Sequence, residues 1–167
     1  MQSTGENKYS VITNAVIEKD GKILISRRGL GEKHGPGKWS IPGGKLEATG
    51  IAYEALQQTA KREALEEAGV EIEDCMDFIA NNTFQHNEDG LQSIAIVFLC
   101  HWKSGNPKPL EDTIDVRWIN QEQVENFDFH NINVKNYILR GFNLLNKNTA
   151  NAKEASKRID DIFFKKL

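Results

Sequence analysis

Arg62-Glu63-Ala64-Leu65-Glu66-Glu67-Ala68-Gly69-Val70 crowds three carboxylates onto one short stretch of predicted helix. Glu66 and Glu67 follow Glu63 by three and four residues, so all three project from one side of a 3.6-residue helix. Like charges at these spacings repel by only about 0.2–0.5 kcal/mol per exposed pair. A solvated surface tolerates that, and most charge runs are solvated faces. The functional alternative is a bound cation. Mg²⁺ prefers oxygen ligands in octahedral geometry and is often held by one or two carboxylates together with substrate phosphates.

The residues upstream favour the second reading. Trp39-Ser40-Ile41-Pro42-Gly43-Gly44-Lys45-Leu46-Glu47 reads as a short strand over residues 39–42, broken by a proline and two glycines, that leads towards the helix. A glycine-rich turn lets backbone come close to a ligand. With Glu54, seven intervening residues, then Arg62-Glu63, Glu66-Glu67, Gly69 and Val70, the chain resembles the Nudix hydrolase family, whose signature is G-x5-E-x7-R-E-U-x-E-E-x-G-U with U aliphatic. It departs from that pattern twice. Nine residues separate Gly44 from Glu54 where the signature has five, so residues 48–53 contain a four-residue insertion (9 − 5 = 4) and the loop before the helix is longer. Ala64 stands at an aliphatic position, which a small apolar residue can fill.

The resemblance covers residues 39–70 and implies an α/β fold, the family's α/β/α sandwich with a mixed sheet. It also implies a MutT-like, Mg²⁺-dependent pyrophosphohydrolase that cleaves a phosphoanhydride of a nucleoside triphosphate or other nucleoside diphosphate-linked substrate, Mn²⁺ being a possible substitute. ADP-ribose, dinucleoside polyphosphates and sugar nucleotides are substrates of the same family. On this resemblance Arg62, Glu63, Glu66 and Glu67 are the catalytic set, with Arg62 orienting Glu63 by ion pairing. Glu63, Glu66 and Glu67 hold the metal with the Gly44 backbone and with a further acid from the loop before Trp118, Glu111 or Asp112. Glu88 and Asp89 are an alternative source of that acid. Whether Glu63 is ligand, general base or both stays open, and Glu54 is a structural or outer residue.

Arg27, Arg28 and Lys45 can meet phosphate oxygens, arginine through a bidentate fork and lysine as a point charge. Lys45 gains from lying beside Gly43-Gly44, and the expected substrate-binding set is Arg27, Trp39, Gly43, Gly44 and Lys45. Trp39, Phe84 or Trp118 could stack on a base, although buried aromatics are more often core residues. Asn81, Asn82 and Gln85 could bond base edges. His34 and His86 are the histidines best placed to reach a substrate.

The 167 residues fit one domain, and 39% hydrophobic with 27% charged residues is an ordinary globular composition. A formal charge of −3 argues against general nucleic-acid binding, which needs a surplus of Lys and Arg. Residues 1–9 are polar, unlike a signal peptide, and no apolar run approaches the ~20 residues that span a bilayer. A cytoplasmic protein without membrane contact is expected. Cys75 and Cys100 share no metal-ligand spacing, so both read as reduced thiols.

Residues 11–18 and 22–27, separated by Lys19-Asp20-Gly21, predict a hairpin. Beyond a glycine-rich loop (30–38) and the short strand, a helix is predicted over 53–68 with Gly69 ending it. A strand within 72–80, a polar loop over 81–90, and strands over 93–102 and 116–119 follow. Asn120 caps a short helix over 121–126, and 132–145 reads as a longer one. Residues 147–151 read as a linker closing a single domain over 1–150. Beyond it, Ala155, Ile159, Ile162 and Phe163 recur at helical spacing, with Asn151 and Glu154 as a capping box. That segment is expected to pack on its own domain or form a dimer contact, so the protein is a monomer or a homodimer. Two other readings compete with the hydrolase: a non-catalytic nucleotide-binding module of the same fold, and a structural α/β domain with an acidic helix.

Overall fold

The computed structural model describes residues 9–47, 50, 52–85 and 92–164, with side chains described through residue 155. Ala48, Thr49 and Ile51 of the expected insertion, the sites of His86, Glu88 and Asp89, the polar start of the chain, and the side chains of Ile159, Ile162 and Phe163 lie outside the described residues.

The described residues open with the expected hairpin, β1 (Tyr9–Lys19) and β2 (Lys22–Arg28). Its two-residue turn places Asp20 at φ 51° and Gly21 at φ 76°. Both are left-handed, as the hairpin turn whose twist matches the flanking strands requires. Glu18 Oε1 accepts from the Gly21 amide at 2.9 Å.

β1 is the axis of a seven-stranded mixed sheet. One edge runs parallel to β6 (Gln92–Ser104) from Tyr9 to Glu18. The other edge is forked. On β1, β2 pairs with Glu18 and Lys19 alone, and nearer the start of β1 its place is taken by β4 (Gly43–Lys45), antiparallel to Ile12, Thr13 and Asn14. Past the fork, β2 pairs with β3 (Trp39–Ser40) and with β7 (Thr113–Ile119). β5 (Glu71–Gln85) closes the far side against β6. A sheet that splays in this way leaves a gap between β1 and β2, and the acidic helix lies over it.

The two faces of the sheet are separated by strand alternation. Ala15 and Ile17 of β1, Leu24 of β2 and Phe98 and Cys100 of β6 pack beneath α1 (Ala55–Ala68). Ala60, Ala64 and Ala68 meet them at four-residue intervals, small enough for the helix to lie close. Val16, Ile23, Ile25, Val97 and Leu99 face the other way, onto Val134, Tyr137, Ile138 and Phe142 of α2 (Ile132–Phe164). A 3₁₀ turn over Gln121–Asn126, closed by the reciprocal Asn120–Gln123 capping box, adds Val124 to this layer. Helices on both sides of a mixed sheet make the α/β/α sandwich.

Four sequence expectations are corrected. Residues 81–85 belong to β5 rather than to a loop, because Asn81 to Gln85 continue the ladder opposite Ile96 to Gln92 despite their polarity. The glycine pair is strand rather than turn, held by β1. Residues 147–151 do not form a linker and Asn151 is not an N-cap, since α2 runs unbroken through them. The acidic helix starts at Ala55, behind Glu54 in left-handed conformation (φ 54°) with no side-chain cap.

Candidate active site

α1 ends in a tight αL cap at Gly69 (φ 67°), whose amide donates to the Leu65 carbonyl at 3.0 Å while that of Val70 reaches Ala64 at 3.3 Å. The amides of Lys108 and Leu110 donate to the next carbonyls, those of Ala68 and Glu67, both at 3.1 Å. The loop before β7 is thereby fastened to the end of the helix. It carries Glu111, at φ 47°, and Asp112 to the glutamate face.

The fork in the sheet, the helix and this loop enclose a cleft of about 470 Å³. Of the expected site residues, it gathers Gly43, Gly44, Lys45, Arg62, Glu63, Glu66, Glu67, Glu111 and Asp112. Arg62 Nη2 donates to Glu63 Oε1 and Nη1 to Glu66 Oε2, both at 2.6 Å, and Nη2 also reaches the Lys45 carbonyl at 3.3 Å. Glu63 is only 8% exposed. Burial raises its pKa, with Glu66 and Glu111 acting in the same direction against Arg62. Burial pushes the Glu67 carboxyl up to about 8, reinforced by Glu63 and Glu111, while the Gly43 amide, 3.3 Å from Oε2, and Arg28 pull it back.

The glycines sit at this point for different reasons. A Cβ on Gly44 would lie 2.0 Å from Glu63 Oε1, inside the space that the carboxylate occupies. A Cβ on Gly43 would meet β1 instead, 2.6 Å from the Thr13 carbonyl oxygen and 2.5 Å from Asn14 Oδ1.

Among the described residues no three Asp, Glu, His or Cys side chains converge into a ready-made metal cage. The donor set nevertheless fits a hard cation. All the acids lining the cleft offer oxygen, the space beside Glu63 is kept clear by Gly44, and ions that retain water and share substrate phosphates need few protein ligands.

Trp39 and Arg27 are not brought into the cleft. Trp39 is a core residue, 8% exposed, edge-on to Phe127 at 5.1 Å between ring centroids and 5.3 Å from the Arg117 guanidinium. Arg27 is exposed, and its Nε donates to the Gly37 carbonyl at 2.9 Å. Their neighbours take the places expected for them: Ser40 and Arg28 line the cleft. Arg28 is fixed by the His34 carbonyl, which accepts from its Nε at 2.7 Å, and by an ion pair with Glu32.

The NUDIX domain family model matches residues 8–139. The chain belongs to the Nudix hydrolase family. An 8-oxo-dGTP diphosphatase of Proteus vulgaris is 30% identical over 79 residues, which cover 46% of this chain and 66% of that relative, just under two thirds of its length. Among solved structures, the MutT protein of Methanosarcina mazei Go1 superposes with a TM-score of 0.66 at 26% identity, over 85% of this chain and 98% of that one. The NUDIX domain of Shewanella oneidensis NrtR, crystallised with ADP ribose, gives a TM-score of 0.67 over 83% and 89% of the two chains; at 17% identity it shares the fold alone.

The Nudix domain has a second chamber, of about 420 Å³, on the other side of the strip formed by Arg28, Gly43, Gly44 and Lys45. Asn82 and Phe84 of β5 line it, as do Asn14, Asn133 and Tyr137. Asn82 and Phe84 were among the residues proposed from sequence for base contact. The sequence does not single out Asn14, Asn133 and Tyr137, because the chamber joins Asn14 of β1 to the first turns of α2, far apart in the chain. Asn81 and Gln85 are exposed on the alternate positions of β5, and Trp118 packs against the core beneath α1.

Proposed function

We propose that this protein is a divalent-cation-dependent pyrophosphohydrolase that cleaves a phosphoanhydride bond of a nucleoside triphosphate, or of another nucleoside diphosphate-linked substrate, by attack of water. The observation that carries the reading is one cleft in which Glu63, Glu66, Glu67, Glu111 and Asp112 face Arg28 and Lys45 across a glycine pair. Carboxylates alone repel a diphosphate, and lysine and arginine alone bind it without activating water. A Mg²⁺ or Mn²⁺ ion held by Glu63, Glu66 and Glu67 with Glu111 or Asp112 supplies a Lewis acid for the phosphoryl oxygens and lowers the pKa of the attacking water.

The chain's own residues divide the remaining work. Arg62 holds Glu63 and Glu66 by two 2.6 Å bonds and keeps their carboxylates from swinging out of the cleft. Arg28 and Lys45 bind phosphate oxygens, the guanidinium pre-set by its bond to the His34 carbonyl. Burial pushes the Glu67 carboxyl up to about 8; beside a bound cation it is drawn into the ionised form, in which it can ligate the metal or accept the proton of the attacking water. The likeness to an 8-oxo-dGTP diphosphatase favours nucleoside triphosphates. The ADP-ribose complex of a structural neighbour keeps ADP-ribose on the panel of candidates.

The deciding experiment is product release from nucleoside triphosphates including 8-oxo-dGTP, ADP-ribose and dinucleoside polyphosphates with Mg²⁺, comparing wild type with Glu67→Gln. Turnover of at least one substrate is expected, reduced by about 10³-fold or more in the variant. A folded wild type that hydrolyses none of them overturns the enzyme and favours the nucleotide-binding module.

A further inference from the structure

We propose that Tyr137 is a positioning residue that fixes the Asn82 carboxamide, so that its N–H groups read an acceptor edge of a nucleobase held in the second chamber. This rests on the nucleotide reading above and deepens it.

The two chambers differ in chemistry. The cleft is lined by six glutamates and Asp112, whereas none of the residues described around the second chamber is acidic. There the polar groups are mainly the neutral carboxamides of Asn14, Asn82 and Asn133, with Phe84 as an aromatic wall. Neutral donors and acceptors beside a flat ring suit an uncharged heterocycle. The strip shared by the two chambers carries Arg28 and Lys45, so a ligand with a base in one and phosphates in the other crosses it where cations stand.

Asn82 and Tyr137 make up the reading device. Tyr137 rises from the start of α2 through the core, 7% exposed, and its hydroxyl donates to Asn82 Oδ1. Once Oδ1 accepts that bond, the amide can no longer rotate freely, and the group left to meet a ligand is the NH₂. Its described partner is the Thr83 carbonyl at 3.5 Å, the limit of a hydrogen bond. Phe84 lies two residues further along β5 on the same strand face, beside the donors. The plainer account is that Asn82 only satisfies a buried tyrosine hydroxyl. That account predicts a change in stability without a change in selectivity.

The test is titration calorimetry of the full chain with the nucleoside 5′-monophosphates and with ribose 5-phosphate, which lacks the base. Wild type is expected to prefer at least one nucleotide to ribose 5-phosphate. Tyr137→Phe, which keeps the ring in the core, is expected to weaken that nucleotide about tenfold and ribose 5-phosphate less than twofold. Asn82→Asp keeps the acceptor for Tyr137 and removes both N–H donors, so it should lose the same nucleotide while leaving melting temperature nearly unchanged. Equal weakening of both ligands, an unaffected nucleotide, or no preference in wild type each overturns the proposal. Hydrolysis is not read in this titration. A wild type that binds a base through this pair but turns nothing over removes the hydrolase reading alone.

Discussion

Gly43 and Gly44 are adjacent, yet a methyl group on each should fail differently. On Gly44 it would sit 2.0 Å from Glu63 Oε1, a side chain that can move but only by leaving its place in the cleft. Gly44→Ala should therefore fold and lose about a hundredfold in kcat, the usual cost of misplacing a reacting group by an ångström. On Gly43 the methyl meets the backbone of β1, so Gly43→Ala should lower unfolding free energy by about 1–3 kcal/mol in urea denaturation. The Glu67 carboxyl has a linkage consequence of its own. Its folded pKa, raised to about 8, lies above its unfolded value, so between about pH 4.5 and 8 the folded state binds a proton that the unfolded state has released. Ionisation is disfavoured in the fold. Cation-free protein should therefore be most stable at the acid end of this window and lose stability as pH rises to 8. Glu63, shifted in the same direction, adds to the trend. Melting temperatures measured in chelator from pH 5 to 8.5 should fall for wild type and fall less for Glu67→Gln.

α1 and the loop before β7 act as one unit because the loop's amides occupy the carbonyls at the helix end. Gly69 holds that junction in a left-handed conformation, and Gly69→Ala should cost about 1–2 kcal/mol. It should also depress activity beyond the loss of folded protein, because Glu111 and Asp112 ride on the displaced segment; kcat measured well below the melting temperature separates the two effects. This helix was the most legible part of the sequence. Its register from Glu54 to Gly69 follows from spacing alone, and the position of the acidic loop follows from the family pattern. Trp39 was misjudged because residue type does not fix which face of a two-residue strand enters the core. Arg27 and Arg28 likewise occupy consecutive positions in a strand whose buried run, Ile23 to Ser26, is covered on both faces and carries no alternation. The polar residues 81–85 read as a loop because their strand character comes entirely from pairing with β6, a long-range contact that local propensity does not register.

The sandwich holds its second helix layer through a few residues near the start of α2. Ile138 is fully buried among Val16, Ile23 and Leu99, so Ile138→Ala should remove about 2–5 kcal/mol, seen as a lower midpoint in denaturant with an unchanged slope. The helix also continues well past this contact, and residues 151–155 are exposed. Composition alone suggested a break at Lys147–Asn151, since a polar run offers no apolar stripe to mark a helix, yet nothing in it forbids one. The two chambers meet at a wall whose central residues are glycines, and each chamber draws on a different helix layer: the carboxylates on α1, Asn133 and Tyr137 on α2. In evolutionary terms this separates two kinds of change. On the reading proposed above, substitutions in β5 and α2 change which base is held, while those on α1 and the wall between the chambers change the reaction itself.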